Sequence, residues 1–427
     1  MRSRLLLLLL GATAALAAEP AFTAFDLDRA RGMLGLVRDE VAKEFYDPAR
    51  VGPEFLARCR AAHEALASAK SHDAAHLIIA QPFLDIGDSH TAFLPPARRD
   101  RVDHHWKFHA VGSDVYVREV DAKSEAAKQG LRVGDKLLNI DGMAPKRSNR
   151  HLMQYFLYQL APRAGMRVVA QAPGQPPREL LIPGEVTAGS RVENLRNEGG
   201  IYDRVLEDEK EDRKLRSRFV RLPGDLLVWK LQRFDLDTVA AGLGKAGDAK
   251  NVILDLRGNS GGEVRATEDM LNAFFADSFE AFTMKERRRS ETTRVKGKDT
   301  FKGLLLVLID NSSASASEVF ARTVQMRQRG VLMGDHTAGA LSTARVHPLS
   351  LGTGDKLTLF GAYIAFSSFT MADGTVIEGK GVAPDYLLLP THEQLYQGHD
   401  PVLAKALTIA GHKTTPEEAG KLFPPVN

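Results

Sequence analysis

Residues 304–322 read LLLVLIDNSSASASEVFAR, and the way this stretch divides decides the architecture. Leu304 to Ile309 is an unbroken apolar run of strand length, as expected for a strand buried on both faces. Small polar residues follow as a turn that runs toward Glu318 and leads into helix-forming residues. A strand feeding a helix through a tight turn is the repeating unit of an α/β fold. A serine held in such a turn is well placed to act as a nucleophile. Ser312, Ser313, Ser315 and Ser317 all compete for that role.

The same pattern recurs on either side. DLLVWKL (225–231), NVILDL (251–256) and GVLMGD (330–335) are further apolar runs alternating with helical segments, so an α/β core with buried strands is expected. In NVILDLRGNSGGEVRATEDML (251–271), Gly258, Gly261 and Gly262 lie directly after a strand and before a helix. Such a turn exposes backbone N–H groups that bind a phosphate or stabilise an oxyanion. The spacing fits neither the P-loop nor the dinucleotide fingerprint, and on its own it is equally a plain structural turn.

Upstream, Leu27, Ala30, Leu34, Val37, Val41 and Phe45 recur at helical spacing, with Asp26 as the expected N-cap. Two more helical patterns cover 53–69 and 73–79, giving a small helical domain that closes on FLDIGDSHTAFLPPARRD (83–100). Between 106 and 183 the character changes. DVYVREV (114–120) alternates like a strand, and SEAAKQGLRVGDKLLNIDG (124–142) reads as helix, turn, strand and glycine turn. Residues 187–217 are charge-dense and end in LEDEKEDRKLR, a solvated helix or linker.

Composition narrows the class. The chain has 427 residues, enough for two or three domains, and a formal charge of +3 with few aromatics, which gives no footprint for nucleic acid. Cys59 is the only cysteine, so neither an intrachain disulfide nor a thiolate metal cluster forms, and it reads as a small core residue. MRSRLLLLLLGATAALAAEP (1–20) has the charged, apolar and small-residue order of a secretory signal, with cleavage after Ala17 or Ala18. Its apolar part is shorter than the roughly 20 residues a membrane helix needs. The mature protein is therefore expected to be exported, periplasmic or extracellular, with no stable membrane span.

Two resemblances sharpen these readings. The stretch around 124–142 resembles a PDZ domain of the bacterial protease type, a module that binds peptide C-termini by adding them to a sheet edge. The glycine turn, SASASEVFARTVQ (313–325) and GVLMGDHTAG (330–339) together resemble peptidase family S41, the C-terminal processing and tricorn-like serine proteases, over about residues 216–427. The resemblance implies a multidomain chain: signal peptide 1–18, N-terminal helical domain 19–100, PDZ domain 101–185, charged linker 186–215 and catalytic core 216–427. That core would be an α/β serine-protease core with ClpP/crotonase-like layers.

The resemblance also implies roles. Ser315 would be the nucleophile, with Ser313 and Ser317 as turn and helix-start residues, and the N–H groups of Ala316 and Gly261 as the oxyanion hole. The processing branch places a lysine about 25 residues later, where this chain has HTAGALSTA (336–344) with Ala340 at the aligned position. No lysine occurs between Lys302 and Lys356, so a Ser–Lys dyad is not available. The tricorn-like branch instead uses an upstream histidine, and GDSHTAF (87–93) supplies His90 as general base with Ser89 beside it. TVIEGKGVAPDY (375–386) supplies Glu378, which would hold Ser89 while Ser89 orients His90. His336 is the rival base, expected to be a loop residue. His104, His105 and His109 cluster without a matching acid and are expected to be exposed rather than metal-bound.

The expected activity is peptide-bond hydrolysis through an acyl-enzyme, with peptides or unfolded proteins as partners and no metal or organic cofactor. The alternative is a non-catalytic S41-like, PDZ-bearing binder of peptides or ligands, similar to the retinoid-binding modules of animals. Joint retention of Ser315, Ser89, His90 and Glu378 argues against it.

Overall fold

The computed structural model describes residues 22–98, 100–188, 217–298 and 301–423. The expected signal peptide (1–18) and most of the expected charged linker (186–215) lie outside these residues. Among the described residues, no helix is long and apolar enough to cross a membrane.

The apolar runs singled out in the sequence form one six-stranded sheet. Its order is Tyr386–Leu387, Val331–Gly334, Leu304–Ile309, Asn251–Asp255, Leu226–Lys230 and Arg218–Leu222, with every pairing parallel except the last. Parallel strands must be covered on both faces, and these are. The helices Leu236–Gly247, Val264–Phe274 and Ala316–Met326 bury one face through Val239, Phe274 and Phe320. The helix Pro401–Ile409 buries the other through Val402, Leu403 and Leu407. Arg257 fastens this C-terminal helix, joining buried Asp255 on the sheet to Asp400 at the helix N-cap.

Close packing here has a testable corollary. Gly242 faces fully buried Trp229 so closely that an added Cβ would lie 2.0 Å from the indole ring. Gly242→Ala gains about 1 kcal/mol of helix propensity, but overpacking a rigid ring costs about 1–3 kcal/mol. A net loss of stability is expected in chemical denaturation.

The N-terminal helices Ala24–Glu44, Pro53–Ala65 and His72–Leu84 form as their periodicity predicts. Thr23, not Asp26, is the first N-cap. Asp26 sits three residues in and completes a reciprocal capping box, its carboxylate accepting from Thr23 N–H at 2.9 Å. These helices do not close a core of their own. Their apolar faces pack on Phe360, Ala362, Ile364 and Ala365 of the long strand Thr358–Met371. The strand Ala92–Leu94 joins the same sheet, pairing antiparallel with that strand from Ala92↔Tyr363 to Leu94↔Gly361. Ser342–Leu351, Phe279–Glu286 and Ser290–Val295 complete this second sheet. Arg287 bonds the carbonyls of Ala42, Lys43 and Phe45 and so caps the end of the first helix.

Residues 100–188 form a separate unit with its own core around Trp106, Phe108, Leu137, Leu157 and Met166. Five antiparallel strands run in the order Trp106–Val111, Asp114–Val120, Lys136–Ile140, Gly165–Gln171 and Arg178–Pro183. Entry and exit are clasped together, Asp100–Asp103 pairing with Glu185–Ala188. His104 is buried in this unit rather than exposed, and His105 sits 2.8 Å from Glu185. The unit docks on the loops that follow two core strands. Arg147 Nη1 and the Gly112 N–H both donate to Asp335 Oδ2 at 2.8 Å, and buried Arg150 donates to Asn311 Oδ1 at 3.0 Å.

Candidate active site

Ser315 sits at the junction between the Leu304–Ile309 strand and the Ala316–Met326 helix with φ 54° and ψ −117°. A side-chain-bearing residue at this φ is strained by about 1–3 kcal/mol, so its surroundings must over-determine it. They do so through the flanking serines. Ser313 Oγ donates to Leu256 O at 2.8 Å and Ser317 Oγ to Asn259 O at 3.0 Å, both fully buried. Of these three serines only Ser315 lines the pocket.

Asn259 governs the glycine turn. Its amide donates to Leu231 O and accepts the Gly261 N–H at 2.8 Å, while its carbonyl accepts the Ala314 N–H at 3.0 Å. The Gly261 N–H is therefore occupied and does not face the pocket as an oxyanion donor, contrary to the sequence expectation. Gly262, one residue on, lines the pocket. Among the described residues, neither its N–H nor that of Ala316 has a hydrogen-bond acceptor. Gly261 must remain glycine for another reason: a Cβ there would lie 2.7 Å from the Ser315 Cβ.

The opposite wall comes from the turn before the Ala92–Leu94 strand. Asp88 Oδ1 accepts the His90 N–H at 2.9 Å and the Thr91 hydroxyl at 3.2 Å, fixing the turn. Burial pushes the Asp88 carboxyl up to about 6, with the nearby Glu378 charge adding to the effect. Ser89 Oγ lies 2.7 Å from His90 Nδ1 and 3.0 Å from Glu378 Oε2, and Glu378 Oε1 accepts the Ser89 N–H at 2.7 Å. The tautomer follows from proton counting. Ser89 has one hydroxyl proton and donates it to Glu378 Oε2, so His90 Nδ1 must donate to Ser89 Oγ. The lone pair is then on Nε2. Burial lowers the His90 pKa below the ordinary imidazole value, and the Glu378 charge opposes this.

His90 and Ser315 line one pocket of about 270 Å³ with Arg233, Val264, Phe282 and Tyr363. No hydrogen bond joins the His90 and Ser315 side chains. No lysine is among the lining residues. His336 lies elsewhere: its side chain is half exposed, and its carbonyl accepts from Arg147.

Sequence reasoning missed Asn259 and the full part played by Glu318. Fully buried Glu318 accepts from Thr337 Oγ1 at 2.6 Å, Gly339 N–H at 2.7 Å, and the N–H groups of Ala340 and Ser315 at 3.0 Å. Burial pushes its carboxyl up to about 7, opposed by these four donors.

The chain is similar to known peptidases. The family model described as "Peptidase family S41" matches residues 228–388. A chloroplastic carboxyl-terminal-processing peptidase of Arabidopsis thaliana is 25% identical over 349 residues, covering 76% of this chain and 65% of that one. A carboxy-terminal-processing protease of Bartonella bacilliformis is 28% identical over 175 residues, 40% of this chain and 38% of that one. The chain thus spans less than two thirds of the length of either relative. The crystal structure of mature CPAF superposes with a TM-score of 0.62 at 12% identity, covering 87% of this chain and 94% of that one, so the fold is shared. Residues 228–388, which carry Ser315 and Glu378, thus match the model of peptidase family S41.

Proposed function

We propose that the protein is an exported serine peptidase that hydrolyses peptides or unfolded proteins, with Ser315 as nucleophile and His90 as general base. The observation that carries this reading is the unbroken chain from Glu378 through Ser89 to His90, ending at the pocket that Ser315 lines. A binding protein has no use for such a chain.

In the first step His90 Nε2 takes the Ser315 hydroxyl proton as Oγ attacks the scissile carbonyl carbon. The imidazolium is stabilised by Glu378 through Ser89, as an aspartate does in a Ser-His-Asp triad. The N–H groups of Ala316 and Gly262 receive the oxyanion, each worth about 3 kcal/mol in the transition state. The C–N bond then breaks, the amine leaves with the proton from His90, and water hydrolyses the resulting ester by the reverse proton path. Similarity to carboxyl-terminal-processing peptidases supports a peptide substrate.

The 101–185 unit is proposed to be a PDZ domain that captures an extended peptide end. Its support is the five-stranded antiparallel sheet beside the Arg150–Tyr155 helix, with Trp106–Val111 at an edge. Amidating the C-terminus of a 20-residue substrate should then raise KM roughly tenfold, about 1.4 kcal/mol. A short ester substrate should be indifferent. Equal KM values for free and amidated long substrates would reduce the unit to a spacer.

The test of the whole proposal is fluorophosphonate labelling of the purified protein followed by peptide mapping. The adduct is expected on Ser315. Labelling at another serine, or none under conditions where peptide is cleaved, would overturn it.

A further inference from the structure

The segment Gly339–Leu341 carries three successive amides that divide between two carboxylates. Gly339 N–H donates to Glu318 Oε1 at 2.7 Å, Ala340 N–H to Glu318 Oε2 at 3.0 Å, and Leu341 N–H to Glu378 Oε2 at 2.7 Å. Ala340 also accepts the Ser315 N–H at 2.9 Å through its carbonyl, while that same N–H lies 3.0 Å from Glu318 Oε2. A short piece of backbone therefore touches the nucleophile turn on one side and the acid behind the base on the other.

Helix capping does not account for this. A capping glutamate at the third helical position needs to reach back only to the N-cap N–H. Glu318 makes that contact with Ser315 and receives three further donors from a loop about 20 residues away. Fully buried carboxylates are costly unless every lone pair is used, so four donors on one group define its place closely. Ala340 stands at the position where the processing branch would carry its lysine, and here its backbone braces the site.

We infer that Glu318, acting through the Gly339–Leu341 strut, is the positioning residue that holds Ser315 in register with His90. This rests on the serine-peptidase reading. Glu318 touches no substrate; it fixes the strained Ser315 backbone and ties it to Glu378. Misplacing a reacting group by about 1 Å costs on the order of 100-fold in rate, and an amide in place of the carboxylate turns an NH₂ toward N–H donors.

The experiment uses the full-length protein with kcat, KM, active-site titration and thermal unfolding measured together. Glu318→Gln is expected to keep its titre of active sites while the rate per site falls roughly 30-fold and KM stays within about threefold. A merely structural role would lower the titre and leave each remaining site at the wild-type rate, and that result overturns the inference. If Glu318→Gln does not fold, Thr337→Val removes one donor to Glu318, together with the acceptor of the Val382 N–H, and should lower the per-site rate roughly fivefold at unchanged titre; an unchanged rate overturns the inference. Ser315→Ala separates the two levels. Hydrolysis surviving in Ser315→Ala removes the peptidase reading itself, whereas a dead Ser315→Ala beside a fully active Glu318→Gln removes only the strut.

Discussion

Ser315→Ala is expected to abolish peptide hydrolysis and fluorophosphonate labelling while shifting Tm by no more than about 4 °C. Removal of the hydroxyl orphans no partner, because the Glu318 N–H that faces it in the helix-start capping box also donates to the Ser315 carbonyl at 2.9 Å. Alanine inherits the same backbone strain at φ 54° without adding to it. The neighbours behave oppositely. Ser313→Ala and Ser317→Ala leave buried carbonyls of Leu256 and Asn259 short of a donor, so they should lose stability while the folded fraction retains much of its activity. Activity lost in a folded Ser317→Ala and retained in Ser315→Ala would place the nucleophile at the wrong serine.

His90→Ala should cost nearly as much as losing the nucleophile, because members of such a chain act as a unit. Glu378→Gln should cost less, since the acid acts through Ser89 and never touches substrate. His336→Ala is expected to stay within about tenfold, because it lies away from the proton path. The pH profile carries the sign. His90 works as a base only when neutral, and burial lowers its pKa, so kcat/KM should fall on the acid side through a value below that of a free imidazole. Glu318, raised to about 7, adds a second acid limb if its ionised form braces the turn. Glu318→Gln removes that limb because an amide does not titrate, leaving the His90 limb alone. An acid limb at alkaline pH, as a lysine base would give, contradicts the assignment.

The strand–turn–helix units were legible because they are local: Leu304–Ile309 and Ala316–Met326 announce themselves by run length and helix-forming residues. The grouping of Ser89, His90 and Glu378 was approached through motif resemblance, since 289 residues separate Ser89 from Glu378 and no periodicity spans that distance. What stayed hidden depended on partners. Helical spacing told which faces of the N-terminal helices are apolar but not that Phe360 and Ile364 complete their core. The displacement of Gly261 by Gly262 turns on one side-chain amide, Asn259, choosing one N–H over its neighbour. Asp26 was read as a cap because acids suit that position, whereas the Thr23 and Asp26 pair fits the box pattern better.

The pairing of Ala92–Leu94 with the Thr358–Met371 strand also bears on the order in which the proposed site is assembled. A chain synthesised from its N-terminus presents His90 early, then Ser315, and only afterwards the strand that seats the His90 turn and the Glu378 that orients it. Such long-range pairing forms slowly, because loop closure precedes its reward. Nascent and truncated chains ending before residue 378 therefore lack both Glu378 and part of the frame in which the proposed proton path is assembled.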